Sequence, residues 1–195
     1  MGRLPMWVLE RFPRLAFQCE RWNRDQLGRA SEAWVAHLAH QAAWRVLARR
    51  LLLPTGEIDL VAWDGETLVC MEVKGGLLPT RLRGTDPAHW SDHWRPGHHF
   101  GWTQFARYQA GMRRVLSQLP GPTSGKGRID LFEVLWSRGT WSPLVVHHRD
   151  LRQPLMRSPQ GPCSDSIQAR FQAGVPGTGT EVESYAVRPT RPLSR

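Results

Sequence analysis

The clearest periodicity in the chain lies between Gly56 and Lys74, GEIDLVAWDGETLVCMEVK. Ile58, Leu60 and Ala62 alternate with Glu57, Asp59 and Val61. Val69, Met71 and Val73 alternate with Cys70, Glu72 and Lys74. Strict alternation predicts two half-buried strands. Asp64-Gly65 between them predicts a two-residue hairpin turn, because both residues tolerate the positive φ that such turns need. That turn sets Trp63 against Glu66, Asp59 against Cys70 and Glu57 against Glu72. Directly opposed residues share a face, so Asp59, Glu57, Glu72 and Lys74 are expected to point one way, with Asp59 and Glu72 as diagonal neighbours about 7–8 Å apart at the backbone.

The flanking patterns supply further elements. Trp34, Leu38 and Ala42, with Val35 and Ala39 beside them, form one apolar stripe and predict a helix from about Gly28–Ser31 to Ala42. Glu32 falls in its first turn, where a carboxylate complements the helix dipole. WRVLARRLLL, residues 44–53, reads as a strand ended by Pro54. Phe105, Tyr108, Met112, Val115 and Leu119 recur at helical steps and predict a second helix over 100–119, stopped by Pro120-Gly121. RIDLFEVLW, residues 128–136, reads as a strand, and 141–147 returns as another strand or an edge segment, the latter a place that suits Pro143. Residues 75–97 have no period and predict a long loop. The order is helix, three strands, helix, strand, in a domain over 25–153. An Arg-, Trp- and Phe-bearing extension precedes it over 1–24, with a short helix at MWVLERF bounded by Pro5 and Pro13. Over 154–195 Pro, Gly, Ser, Thr and Gln prevail, which predicts a disordered tail.

Charge narrows the function. The 195 residues suffice for one domain with a real core. A formal net charge of +9 points to a polyanionic partner, nucleic acid before an anionic membrane surface. Arginine supplies nearly all of it: of 26 basic residues only Lys74 and Lys126 are lysines. That one of these closes Glu72-x-Lys74 suggests a position needing a compact ammonium rather than a planar guanidinium. Cys19, Cys70 and Cys163 are odd in number and far apart, which disfavours disulfides or a cysteine zinc site and fits a reducing cytoplasm. No apolar run reaches the ~18–20 residues that span a bilayer, and Glu10, Arg11 and Arg14 interrupt the N-terminal apolar stretch, so no membrane partner and no signal peptide are expected.

Glu32, Asp59, Glu72 and Lys74 thus come from three elements. Hard oxygen donors suit Mg²⁺, with Mn²⁺ as a substitute, and a lysine beside a bound cation can orient water and offset phosphate charge. This is the outline of a phosphodiester hydrolysis site. The loop carries Arg81, Arg83 and Arg95 for phosphates and Trp90 and Trp94 for stacking on unpaired bases. The competing reading of the loop is a cover over a sheet edge. His89, His93, His98 and His99 offer a metal alternative, but the prolines around them disfavour a helix, and loop histidines are mostly solvated. Ser124-Gly125-Lys126 is not a phosphate-binding loop, because Gly127 follows the lysine.

The residues GEIDL, the hairpin, M-E-V-K, the upstream Glu32 and the downstream Arg128-Ile129-Asp130 resemble the YraN-like family, small bacterial proteins of the restriction-endonuclease-like, PD-(D/E)xK nuclease superfamily. The resemblance spans about Leu27 to Leu151. It implies an α/β fold, a mixed β-sheet flanked by helices with an α-β-β-β-α-β core. It also implies metal ligation by Asp59 and Glu72, a catalytic Lys74 and an accessory acid in Glu32. The family's helix after the active site normally starts with a lysine or glutamine, a place that Gln104 takes here, and with Arg107 this glutamine joins Arg81, Arg83 and Arg95 as an expected DNA contact. Gly76 replaces the family's usual arginine, and the 75–97 loop is longer than is typical. The expected activity is a Mg²⁺-dependent DNA endonuclease, branched or junction DNA among its substrates and a homodimer as its assembly. The alternative is a DNA-binding protein that keeps the fold without turnover.

Overall fold

A computed structural model describes residues 6–13, 22–87, 90, 95–119, 126–138, 140, 142–154, 168–170 and 182–185. The element order is α1 (Met6–Arg11), α2 (Arg24–Gln41), β1 (Arg45–Leu53), β2 (Gly56–Asp64), β3 (Thr67–Leu77), α3 (Trp102–Gln118), β4 (Gly127–Trp136) and β5 (Leu144–His148). Two short strands follow, β6 (Gln168–Arg170) and β7 (Val182–Tyr185). The sheet order is β1-β2-β3-β4-β5-β7-β6. β1–β2, β2–β3 and β4–β5 are antiparallel, whereas β3 and β4 run parallel across the α3 crossover. This is an α/β fold with the mixed sheet and flanking helices of a restriction-endonuclease-like core.

Each face of the sheet carries one helix. Leu60, Ala62, Val69, Met71 and Val73 pack against Ala30, Trp34 and Val35 of α2. Val61, Trp63, Leu68 and Cys70 pack against Phe105, Tyr108 and Val115 of α3. The period-two pattern of β2 and β3 is apolar on both faces, as expected of strands covered on both sides. Gly75 allows the closest approach. A Cβ there would lie 2.5 Å from Ser31 Oγ and 3.0 Å from the Leu27 carbonyl oxygen, so α2 settles onto β3 directly after Lys74.

The structure departs from the sequence pattern at several places. α2 begins at Arg24, earlier than the stripe implies, because Asn23 and Gln26 form a reciprocal capping box. The hairpin turn is Gly65-Glu66, with Asp64 opposite Thr67 and Trp63 opposite Leu68. The register therefore moves by two residues from the Asp64-Gly65 expectation. An even shift does not by itself exchange faces, and it brings Asp59 level with Glu72 rather than with Cys70. The alternation of β2 nevertheless breaks at Asp59, since Ile58 packs with the α3 cluster and Leu60 and Ala62 with the α2 cluster. Paired residues end at Leu60 and Met71, one step before those acids. β3 runs on through Leu77, into the expected loop. Of the two readings of 141–147 the structure has the further strand, β5, and it is not at the edge, since β7 pairs with it over Val145–His148. β6 and β7 lie inside the segment read as a disordered tail, and apart from Pro154 the rest of that segment is outside the described residues.

Candidate active site

The site forms where the β2–β3 ladder stops. Asp59 Oδ2 accepts the Val73 N–H at 2.8 Å, so a side chain takes the place of a backbone partner. The Asp59 N–H donates to the Tyr108 hydroxyl at 3.1 Å, and that hydroxyl donates to the Met71 carbonyl at 3.4 Å. One phenol from α3 thereby clamps both acid-bearing strands at the point of separation. Burial, then the Glu72 and Asp59 charges, hold the Tyr108 hydroxyl well above its usual pKa, so it stays a donor.

Glu72 is 3% exposed. Its Oε1 accepts from Lys74 Nζ at 2.6 Å and from Gln104 Nε2 at 2.8 Å, and Gln104 Oε1 in turn accepts from Lys74 Nζ at 3.3 Å. Gln104 and Tyr108 are one helical turn apart on α3, so both side chains reach the site from the same helix face.

Glu32 approaches from α2. Its Oε1 lies 3.6 Å from Arg50 of β1, whose guanidinium also pairs with Glu57 at 3.0 Å. Burial raises the Glu32 pKa, partly offset by Arg50 and Arg29. Burial pushes the Asp59 carboxyl up to about 8, and the Glu72 and Glu32 charges add to this against the Val73 N–H and Lys74. The acids are thus short of positive charge, a condition that a divalent cation would relieve. The donor set, two hard carboxylates beside a lysine, fits Mg²⁺, which takes one or two carboxylates and completes its octahedron with water or phosphate oxygens. Among the described residues no three His, Cys, Asp or Glu side chains form an all-protein cage.

Glu32, Asp59, Glu72 and Lys74 are therefore gathered as the sequence implies. The expected DNA contacts divide. Arg81, Arg83 and Arg107 are exposed and make no ion pair among the described residues. Gln104 instead faces Glu72 and Lys74. Arg95 is a correction: its side chain is 11% exposed and is locked to Glu133, which is fully buried. Arg95 Nε donates to Glu133 Oε2 at 3.1 Å, His148 Nε2 lies 3.0 Å from the same oxygen, and the Gly97 N–H donates to Oε1 at 2.8 Å. The desolvation cost of burying Glu133 is met by a cation, not by DNA. Trp90 is likewise packed, 6% exposed, with Nε1 donating to Thr85 Oγ1 at 2.6 Å, so it offers no stacking platform. His89, His93 and Trp94 lie outside the described residues. In the sequence Tyr108 reads as core because it lies in an apolar stripe; its spacing from Gln104 is the signal that points to the site.

No helix among the described residues is long and apolar enough to cross a membrane. No family model matches the chain. Its relatives include UPF0102 proteins of Paenarthrobacter aurescens, 47% identical over 26% of this chain and 42% of the relative, and of Synechococcus, 43% identical over 30% and 50%. The chain thus spans about half the length of these two. A UPF0102 protein of Streptomyces griseus is 33% identical over 131 residues, which cover 65% of this chain and 95% of the relative. With that relative matched over nearly its whole length, the chain belongs to the UPF0102 family, the YraN-like family that its motifs resemble.

Proposed function

We propose that the protein is a Mg²⁺-dependent DNA endonuclease, with Mn²⁺ able to replace Mg²⁺. The observation that carries this reading is the pairing of Asp59 and Glu72 at a broken ladder, with Lys74 held against Glu72 at 2.6 Å. Asp59 and Glu72 are the residues to hold the cation. When bound there, Mg²⁺ would supply an acidified water and positive charge for the phosphoryl oxygens. Gln104 restrains Glu72 and Lys74 together, so the carboxylate and the amine keep one relative geometry. Lys74 then orients the attacking water and offsets negative charge gathering on the phosphate. Tyr108 keeps Asp59 in place through its backbone. Water adds to phosphorus, one P–O bond breaks, and a phosphate monoester and a hydroxyl end result.

The net charge of +9 and the exposed Arg81, Arg83 and Arg107 suit a phosphate backbone as partner. Branched or junction DNA, cytoplasmic action and a homodimer complete the reading. The test is incubation of the purified chain with linear, nicked, flapped and four-way DNA, with and without Mg²⁺ or Mn²⁺. Cation-dependent cleavage is expected. Binding to these substrates without cleavage of any of them would favour the non-catalytic DNA-binding module.

A further inference from the structure

Arg50, which holds Glu32 and Glu57, has no role in this mechanism, and its backbone is unusual. It has φ 52° in the middle of β1, a left-handed conformation that costs a non-glycine residue on the order of 1 kcal/mol or more. The ladder continues on both sides, with Arg49 opposite Leu60 and Leu51 opposite Ile58, so Arg50 is level with Asp59. Ala48, Leu51 and Leu53 all pack on the α3 side although 48 and 51 are separated by an odd step, which a regular strand does not allow. The strand therefore changes phase at Arg50. The guanidinium is delivered to Glu57 at 3.0 and 3.4 Å and to Glu32 at 3.6 Å. Glu32 Oε2 is buried and has no hydrogen-bond partner among the described residues. Arg50 is thus the nearest of the cations, with Arg29 and Arg49, that balance Glu32 on the side away from Lys74.

We infer that Arg50 is a built-in counter-cation of the active site: it restrains Glu32 and Glu57 and sets how tightly a divalent ion binds at Asp59 and Glu72. This rests on the proposed metal site. A fixed positive charge inside a carboxylate cluster competes with an incoming cation for the same negative field. Its presence weakens binding of the ion. Arg50 is a positioning residue, and the strained φ holds it there rather than letting it point away along a regular strand.

The test is calorimetric titration of the full chain with Mn²⁺ at low ionic strength, for the wild type and for Arg50→Gln, Arg50→Gly and Arg50→Lys, each checked by its melting curve. Gly adopts φ 52° without strain, so Arg50→Gly removes the charge while easing the backbone. Both neutral variants should bind Mn²⁺ roughly three- to tenfold more tightly than the wild type, the size expected for one unit charge removed from a partly solvated cluster. Arg50→Lys should stay near the wild type, and added salt should shrink the difference. Unchanged or weaker binding in the neutral variants that fold would overturn the inference. A rise in Arg50→Gly alone would also overturn it, since backbone strain and not charge would then be the agent. A wild type that takes up no Mn²⁺ at all would remove the metal site itself, and the role of Arg50 with it.

Discussion

Asp59 is a carboxyl group whose charge the fold disfavours until something cationic arrives. Its pKa rises from an ordinary 3.8 to about 8, through burial first and the Glu72 charge second. A group with a raised folded pKa holds more protons folded than unfolded, so its contribution to stability is full below pH 3.8 and is lost as pH rises through about 8. In EDTA the wild-type melting temperature should therefore fall between pH 5 and 9, and Asp59→Asn should flatten that fall. Parallel slopes for the two proteins would mean that Asp59 is already ionised in the fold. Asp59, Glu72 and Lys74 were readable as a set because alternation marks which residues share a face and an even slip in register does not exchange faces; the break in that alternation between Ile58 and Leu60 was not readable. The distance between the acids was not readable. It depends on the ladder ending at Leu60 and Met71, which a hydroxyl from another element enforces.

Elements bring the remaining groups to the acids. α2 carries Glu32, and its depth is set by Gly75. In Gly75→Ala the new Cβ would meet the Leu27 carbonyl at 3.0 Å, a backbone atom that moves only with the helix. The variant should lose about 1–3 kcal/mol, read by denaturant unfolding; a stability equal to the wild type would show that α2 sits less tightly on β3 than described. The segment before α3 is tied down by Arg95 on Glu133. Burial, the largest influence, pushes the Glu133 carboxyl up, but His148 and Arg95 outweigh it and bring it to about 2. That stability is present above the ordinary 4.5 and is lost as pH falls through about 2. Arg95→Met leaves the carboxylate buried and should cost about 3–5 kcal/mol. An Arg95→Met protein with full stability and weakened DNA binding would restore Arg95 to the DNA surface. In the sequence this arginine reads as a phosphate contact, because a loop rich in Arg, Pro and Trp gives no local sign of its partner, which lies on β4.

At the scale of the molecule, the order of helix, three strands, helix and strand was legible from periodicity, and the parallel β3–β4 pairing follows from the α3 crossover. β6 and β7 were not legible, because short strands in a Pro-, Gly- and Ser-rich stretch leave no period. Positive charge in excess over the whole chain should make DNA affinity fall steeply with salt. Each phosphate contact contributes roughly 0.9 to the slope of log affinity against log salt. Replacing Arg81, Arg83 and Arg107 by Ala should lower that slope by up to about 2–3 while the melting curve stays in place. A slope unchanged in the triple variant would move the DNA path to another face.

The most direct measurement compares wild type and Asp59→Asn in two assays, Mg²⁺-dependent cleavage and a gel-shift titration in EDTA, with matched melting curves. Asparagine keeps the shape and the acceptor for the Val73 N–H but removes the charge that would hold the cation. Cleavage should fall to background, while metal-free binding persists below about pH 8, where the Asp59 carboxyl is already protonated, and tightens above it, where one fewer carboxylate repels the phosphate. Retention of wild-type cleavage by Asp59→Asn, or joint loss of folding and DNA binding, would contradict the account.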